Sequence, residues 1–254
     1  MSRTATPPVV DRAPINRAAV DGTRDAGVAA SFWLRSAAWS VDATLIGVAT
    51  ALLTARSWLP GLARLDAAVE RIGEALPQTL QAAVEQASGV SDLLPLLLGD
   101  PLLAQATSAM SSAIWQLLLP PILMFTVLGA LYHVGFECSH RRASPGKRLL
   151  GLWVESRGGR RLRPVQSLLR FGAGALSWLT LNAGHAMAAM PPQHLALHDL
   201  LAGTRVRTRP GNRLPLWAMV WLTAFMALQA VVVLKWSFAV AARWQLALES
   251  ALIG

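Results

Sequence analysis

The stretch Ser144-Pro-Gly-Lys-Arg-Leu-Leu-Gly-Leu-Trp-Val154 places a basic turn and a short apolar run between long hydrophobic segments. Pro145 and Gly146 predict the turn, and the run from Leu149 to Val154 predicts a β-strand. Basic residues far outnumber Glu137 and Glu155 on both sides of it. We call Ser144–Val154 the hub. A polar, basic segment between apolar ones is typical of a membrane protein.

The composition of the chain supports this class. Of the 254 residues, 54% are hydrophobic and only 15% are charged, which excludes an ordinary soluble domain. The net charge of +9 lies mainly between apolar segments, as in cytoplasmic loops, so we expect no nucleic-acid partner. Cys138 is the single cysteine, and the sequence shows no metal-ligand spacing and no nucleophile with a base. We therefore expect that the protein binds no metal and no cofactor and has no enzymatic activity.

The first membrane helix is predicted from about Ser31 to Leu53, long enough to cross a hydrocarbon core of roughly 30 Å. It carries Arg35 and Asp42, which share one helix face because they lie seven residues apart. An ionised group at the centre of a membrane helix costs roughly 2.5 to 3.5 kcal/mol, so Asp42 should face protein or water. Asp42 either binds a proton or cation or pairs with an Arg or Lys of another segment, and we favour the second interpretation.

Residues 57–110 form a polar insert with an amphipathic helical stripe at Leu62, Leu65, Val69, Ile72 and Leu76. Pro77 is placed to begin a second short helix. The stripe either binds a second copy or another membrane partner, or covers the membrane interface or the protein's own outer face. We favour the latter interpretation.

A second membrane helix is predicted over about 112–135, with a kink at Pro120-Pro121. Residues 165–190 form a weaker apolar segment that either crosses the membrane or is re-entrant and returns to the same side. The final segment, 209–254, adds a membrane helix from Leu214 to about Leu234. The fold class is therefore an all-α integral membrane protein with three or four spanning or re-entrant helices.

The alternating run Thr204 to Thr208 predicts a strand that pairs with Leu149–Val154 as a two-stranded cytoplasmic ribbon. This pairing would bring His198 and Asp199 next to Lys147. Residues 1–30 lack apolar periodicity and are interpreted as a flexible cytoplasmic tail.

Charge predicts the orientation of the chain. The insert is acidic on balance and the hub is basic, so the amino terminus and hub should be cytoplasmic and the insert outside the cytoplasmic membrane. The basic loops around the hub should contact anionic lipid headgroups.

The charged and turn residues together resemble the RDD family of bacterial membrane proteins. That family is named for an Arg and two Asp, which Arg35, Asp42 and Asp199 match, with Ala38 fitting the spacing. The hub is similar to the family's Thr-Pro-Gly-Lys turn and strand, with Ser144 in place of Thr. Arg170 is similar to the Arg before the family's third apolar segment, and His198–Thr204 to its closing His-Asp-Leu-Leu-Ala-Gly-Thr.

The resemblance covers roughly Trp33 to Arg207 and implies the fold more firmly than an activity. Some family members are associated with sodium/proton exchange. Two hypotheses follow: a membrane scaffold or accessory protein held by an ion-pair network, which we favour, and a sodium- or potassium-ion/proton antiporter or related transporter. In either case the network should comprise Arg35, Asp42, Lys147, Arg170, His198 and Asp199, and the turn and ribbon motif Ser144, Pro145, Gly146, Gly151, Gly203 and Thr204.

Overall fold

A computed structural model describes residues 27–180 and 182–253 of the chain. The predicted flexible tail therefore lies outside the described residues except at its last four positions. In chain order the elements are β1 (Val28–Ala29), α1 (Phe32–Leu53), α2 (Ala55–Gln86), α3 (Val90–Gly99), α4 (Pro101–Glu137), α5 (Pro145–Leu149), β2 (Leu152–Ser156), α6 (Pro164–Leu179), α7 (Ala183–Ala186), a 3₁₀ turn (Met187–Ala189), α8 (Leu197–Ala202), β3 (Thr204–Thr208) and α9 (Leu216–Ile253).

Three of these helices are long and apolar enough to cross a membrane: α1, α4 and the Leu216–Ala242 part of α9. This confirms the predicted class of a helical membrane protein. Helix α1 begins where the sequence predicts, because the Ser31 side chain accepts a hydrogen bond from the Leu34 amide at 3.5 Å and caps its first turn.

A small antiparallel sheet lies at the start of α1. Its order is β1-β3-β2, and the predicted pairing is confirmed, with Trp153 opposite Arg207 and Ser156 opposite Thr204. Val28 and Ala29 add a third strand to the predicted two-stranded ribbon. The sequence places them in the tail instead, because two residues are too few to give a recognisable strand pattern. The sheet packs Leu152, Val154 and Val206 against Leu34 and Ala38 of α1.

The hub folds differently from the prediction. Residues Pro145–Leu149 form the one-turn helix α5 instead of a turn, and the strand starts only at Leu152. Pro145 occupies the first helical turn, where its fixed φ suits a helix and its missing N–H is not needed. Gly151, at φ +67°, then joins the helix to the strand.

The insert forms a helical hairpin with the first half of α4. Helix α2 runs through Pro77 without a break, so the predicted second helix does not begin there. Thr79 Oγ1 donates to Asp100 Oδ1 at 3.0 Å, and Gly61 lies against Leu117, which makes α2 and α4 antiparallel. We call residues 55–117 the stalk.

Small side chains form the seam between the two stalk helices. The buried residues Ala68 and Ala75 of α2 are spaced seven apart, as are Ala106 and Ala113 of α4. Small residues at such positions let two helices approach closely. The predicted leucine-rich stripe of α2 lies beside this seam and is mostly half-buried. Ala75 and Thr79, on either side of Pro77, are both buried, and this packing outweighs the tendency of Pro77 to end a helix.

Residues 157–203 form a hairpin that returns to its starting point. Helix α6 has 16 residues and is about 24 Å long, shorter than a hydrocarbon core. The chain turns back at Asn182, whose φ is +66°, and re-enters the sheet at Thr204, directly opposite Ser156. The two ends of the segment therefore meet in one sheet, which is the geometry that the re-entrant alternative requires.

Candidate functional site: a buried ion-pair network

Asp199 is the fully buried centre of the network. Its Oδ2 lies 2.5 Å from Arg35 Nη2 and accepts from the Ala196 amide at 3.0 Å, while its Oδ1 pairs with Arg170 Nη1. Burial alone would raise the pKa of Asp199, but Arg170 and Arg35 outweigh it and hold the pKa well below its usual range. Asp199 therefore remains a carboxylate that joins α1, α6 and α8.

Glu137, the last residue of α4, is a second buried carboxylate. Its Oε1 lies 2.7 Å from Lys147 Nζ, and its Oε2 accepts from Ser167 Oγ at 3.1 Å and lies 3.5 Å from Arg170 Nε. Burial lowers the pKa of Arg170, but the two carboxylates raise it more, so the guanidinium stays charged. Arg170 thus bridges Glu137 and Asp199 and connects α4 to α8.

Asp42 forms a separate cluster with uncharged donors. It is fully buried and accepts from Ser144 Oγ at 2.5 Å, from the Gly146 amide at 2.7 Å and from Tyr132 Oη at 2.7 Å. Within the described part of the chain no Arg or Lys forms an ion pair with Asp42. The prediction of a cationic partner is therefore wrong, and the observed partners are uncharged. Although Arg35 and Asp42 share a helix, they bind different elements.

The motif residues shape the contacts of these carboxylates. A Cβ on Gly146 would lie 2.3 Å from the Ala38 carbonyl oxygen, so only glycine permits α5 to approach α1. Gly203 ends α8 at φ +62°, a left-handed conformation that favours glycine. Thr204 Oγ1 accepts from Arg170 Nη1 at 3.0 Å. Ser144 and Thr204 are therefore polar members of the network as well as parts of the fold.

His198 contacts Asp199, Arg35 and His185, whereas the prediction places it next to Lys147. Its Nε2 is 3.5 Å from Arg35 Nη2, and its ring centroid is 5.1 Å from that of His185. Lys147 instead pairs with Glu137, so its link to Asp199 runs through Arg170. Burial and then the charge of Arg170 lower the pKa of His198 well below its usual range, so its imidazole is neutral.

This shift predicts that acid destabilises the protein. The unfolded chain takes up a proton on His198 below a pH of about 6.5, whereas the folded chain does not, so stability falls as the pH drops below that value. The slope is at most about 1.4 kcal/mol per pH unit for this histidine. We expect His198→Gln to flatten the dependence of the melting temperature on pH between pH 7 and 5, and an unchanged slope would assign the effect to other groups.

Sequence reasoning missed Glu137, Tyr132 and Ser167. Glu137 stands out in retrospect as an acidic residue at the end of a membrane helix beside a basic loop, where it needs a partner. Tyr132 is the only tyrosine of the chain, but its sequence position gives no sign that it reaches Asp42. Ser167 carries no signal at all.

Cavities lie elsewhere in the protein. Two neighbouring ones, of about 300 and 190 Å³, follow the stalk and share Arg71 and Ala109 in their linings. Over residues 27–180 and 182–253, no group of three or more His, Cys, Asp or Glu side chains is arranged to hold a metal ion.

Sequence comparison relates the chain to known proteins. An uncharacterized protein of Bacillus subtilis (strain 168), YxaI, is 33% identical over 88 residues, which are 35% of this chain and 58% of that protein. The chain thus spans a little over half the length of that relative. No solved structure is significantly similar. The model of the RDD family matches residues 29–203, which include all six predicted network residues and every predicted motif residue except Thr204, one position beyond the match. The chain is therefore a member of the RDD family.

Proposed function

We propose that the protein is a non-enzymatic, multi-pass scaffold or accessory protein of the bacterial cytoplasmic (inner) membrane. Its ion-pair network would hold the membrane helices to the small sheet and so fix the shape that partners bind. The charge on the network carries this proposal. The cations Arg35, Lys147 and Arg170 pair with the carboxylates Glu137 and Asp199. Asp42 is held by neutral donors, so each of the three carboxylates is bound by donors of the protein itself.

Such a network suits a structural role for an energetic reason. Buried charges persist when their partners and hydrogen bonds compensate for lost hydration, and removing one partner typically costs about 3 to 5 kcal/mol. The network also connects α1, α4, α5, α6 and α8 through short contacts. Contacts of this kind keep the five helices in a fixed arrangement relative to one another.

We also propose an orientation with the amino terminus and sheet in the cytoplasm and the stalk outside. The loops beside the sheet expose Arg141, Arg160 and Arg161, while the acidic residues concentrate in the stalk, which fits the positive-inside trend. Exposed Leu168 and Leu169 of α6 follow these arginines, which suits a shallow position among anionic headgroups. With three spans, the carboxyl end of α9 would lie on the side of the stalk.

One observation favours the second candidate, a sodium- or potassium-ion/proton antiporter. Asp42 lies inside a membrane-spanning helix, and its three donors are a hydroxyl, a phenol and an amide instead of a cation. A carboxylate held only by neutral donors can exchange a proton for a cation more readily than one paired with arginine. The two functions are therefore distinguished at Asp42.

We expect Asp42→Asn to destabilise the protein by about 1 to 3 kcal/mol, because the amide offers one acceptor to three donors and turns its own N–H groups towards them. The measurement is the melting temperature of the purified protein, together with sodium- and potassium-dependent proton movement in proteoliposomes. Under the scaffold proposal neither the native protein nor the variant moves protons. Flux by the native protein that is lost in a folded variant would establish the antiporter instead.

A further inference from the structure

The far end of the stalk exposes an apolar helix. Helix α3 has ten residues, all of them exposed or half-buried, and its outermost side chains are Val90, Leu94 and Leu98. Their exposed fractions are 86%, 64% and 75%, and their spacing of four puts them in one stripe. We call Val90, Leu94 and Leu98 the tip stripe.

The tip stripe lies beside the first residue of α4, at the opposite end of that helix from Glu137. The hydrogen bond between Thr79 and Asp100 ties the end of α3 to the outer part of the stalk. From Leu117 to Pro101 helix α4 extends sixteen residues, about 24 Å. In the proposed orientation the tip stripe therefore stands in water, where a contiguous row of large apolar side chains is unfavourable and marks a contact surface.

Charge selects the occupant of this surface. Between residues 72 and 140 the chain has neither Lys nor Arg, while Glu74, Glu85, Asp92 and Asp100 give the outer stalk four negative charges. A second copy would bring the same four negative charges to the interface, and an anionic lipid surface would repel them too. A partner with an apolar groove and a basic rim would bury the stripe in the groove and pair its basic residues with the acidic residues of the stalk.

We propose that the tip stripe inserts into an apolar, basic-rimmed groove of another protein on the stalk side of the membrane. A short amphipathic helix with anchors four residues apart is a recurring ligand for such grooves. The inference deepens the proposed scaffold function, on which it rests, by naming the chemistry of the partner. The tip stripe supplies the apolar contact, and Glu85 and Asp92 supply orientation and rate of association.

Photo-crosslinking in the native host's membranes tests the proposal. The full-length protein carries a benzophenone amino acid in place of Leu94, or in place of the exposed stalk residue Gln81 as the matched control. We expect one protein adduct from position 94 and none from position 81. Mass spectrometry of the crosslinked peptide should place the adduct in an apolar groove flanked by Lys or Arg. The double variant Glu85→Lys, Asp92→Lys should reduce the adduct by about tenfold.

Four outcomes would overturn the proposal: an adduct with a second copy, an adduct with lipid, no adduct at all, or an adduct that charge reversal leaves unchanged. Because α3 has no buried residue, Leu94→Asn should leave the melting temperature unchanged. This control tests whether a substitution at position 94 unfolds the protein, which would otherwise explain a missing adduct. If crosslinking fails but the ion-pair network is intact, the partner proposal is wrong and the scaffold function is still supported. Proton flux that depends on Asp42 would contradict the scaffold function itself, independently of the crosslinking result.

Discussion

Asp199→Asn is expected to lower the free energy of unfolding by about 3 to 5 kcal/mol, a loss sufficient to prevent accumulation of folded protein at ordinary growth temperatures. The variant keeps the shape of the side chain but removes the charge that faces Arg35 and Arg170. Arg35 would then lose its carboxylate partner, and the buried Arg170 would have to share the carboxylate of Glu137 with Lys147. Yield and melting temperature in detergent are the measurements.

Glu155→Gln provides the matched control. Glu155 also pairs with two arginines, at 3.0 Å to Arg205 Nε and 3.4 Å to Arg207 Nε, but on the sheet surface. Arg205 is 37% exposed, so water and salt screen this pair, and the loss should stay below about 1 kcal/mol. Equal effects of the two variants would contradict the idea that burial gives the Asp199 cluster its structural importance.

The sequence predicts the charged members of the network better than their pairing. Arg35 and Asp42 are identifiable because an ionisable residue in a membrane helix needs a reason to be there. Which group each one meets depends on how the helices rotate and on where the hairpin 157–203 returns, and neither is encoded in local spacing. The sequence therefore predicts a cationic partner for Asp42, whereas Asp42 accepts hydrogen bonds from Ser144, Gly146 and Tyr132. It also predicts Lys147 beside Asp199, whereas Asp199 pairs with Arg35 and Arg170.

The differences in secondary structure also have local causes. Pro-Gly begins both turns and helices, so Pro145-Gly146 cannot distinguish α5 from the predicted turn. Pro77 usually ends a helix, but Ala75 and Thr79 on either side of it are buried against α4, and this packing keeps α2 continuous. The alanine seam of the stalk is missed because periodicity analysis gives weight to large apolar side chains, and the leucine stripe beside it is the stronger signal.

Gly146→Ala is expected to have a comparably large effect, of about 3 kcal/mol or more, through shape instead of charge. The added Cβ would lie 2.3 Å from the carbonyl oxygen of Ala38 and 2.9 Å from Asp42 Oδ1. The first of these is backbone within α1 and cannot move aside as a flexible side chain would. Helix α5 would have to retreat, which breaks the 2.7 Å hydrogen bond from the Gly146 amide to Asp42.

Gly172→Ala isolates the effect of this contact, because Gly172 lies within α6 and a Cβ there meets nothing within 4 Å. In an open helical position alanine is more stable than glycine by up to about 1 kcal/mol, so the two identical substitutions should change stability in opposite directions. Chemical denaturation of both variants in the same detergent measures the difference. If Gly146→Ala is instead as stable as the native protein, α5 does not pack on α1 as closely as this structure has it, and Asp42 must be held by other groups.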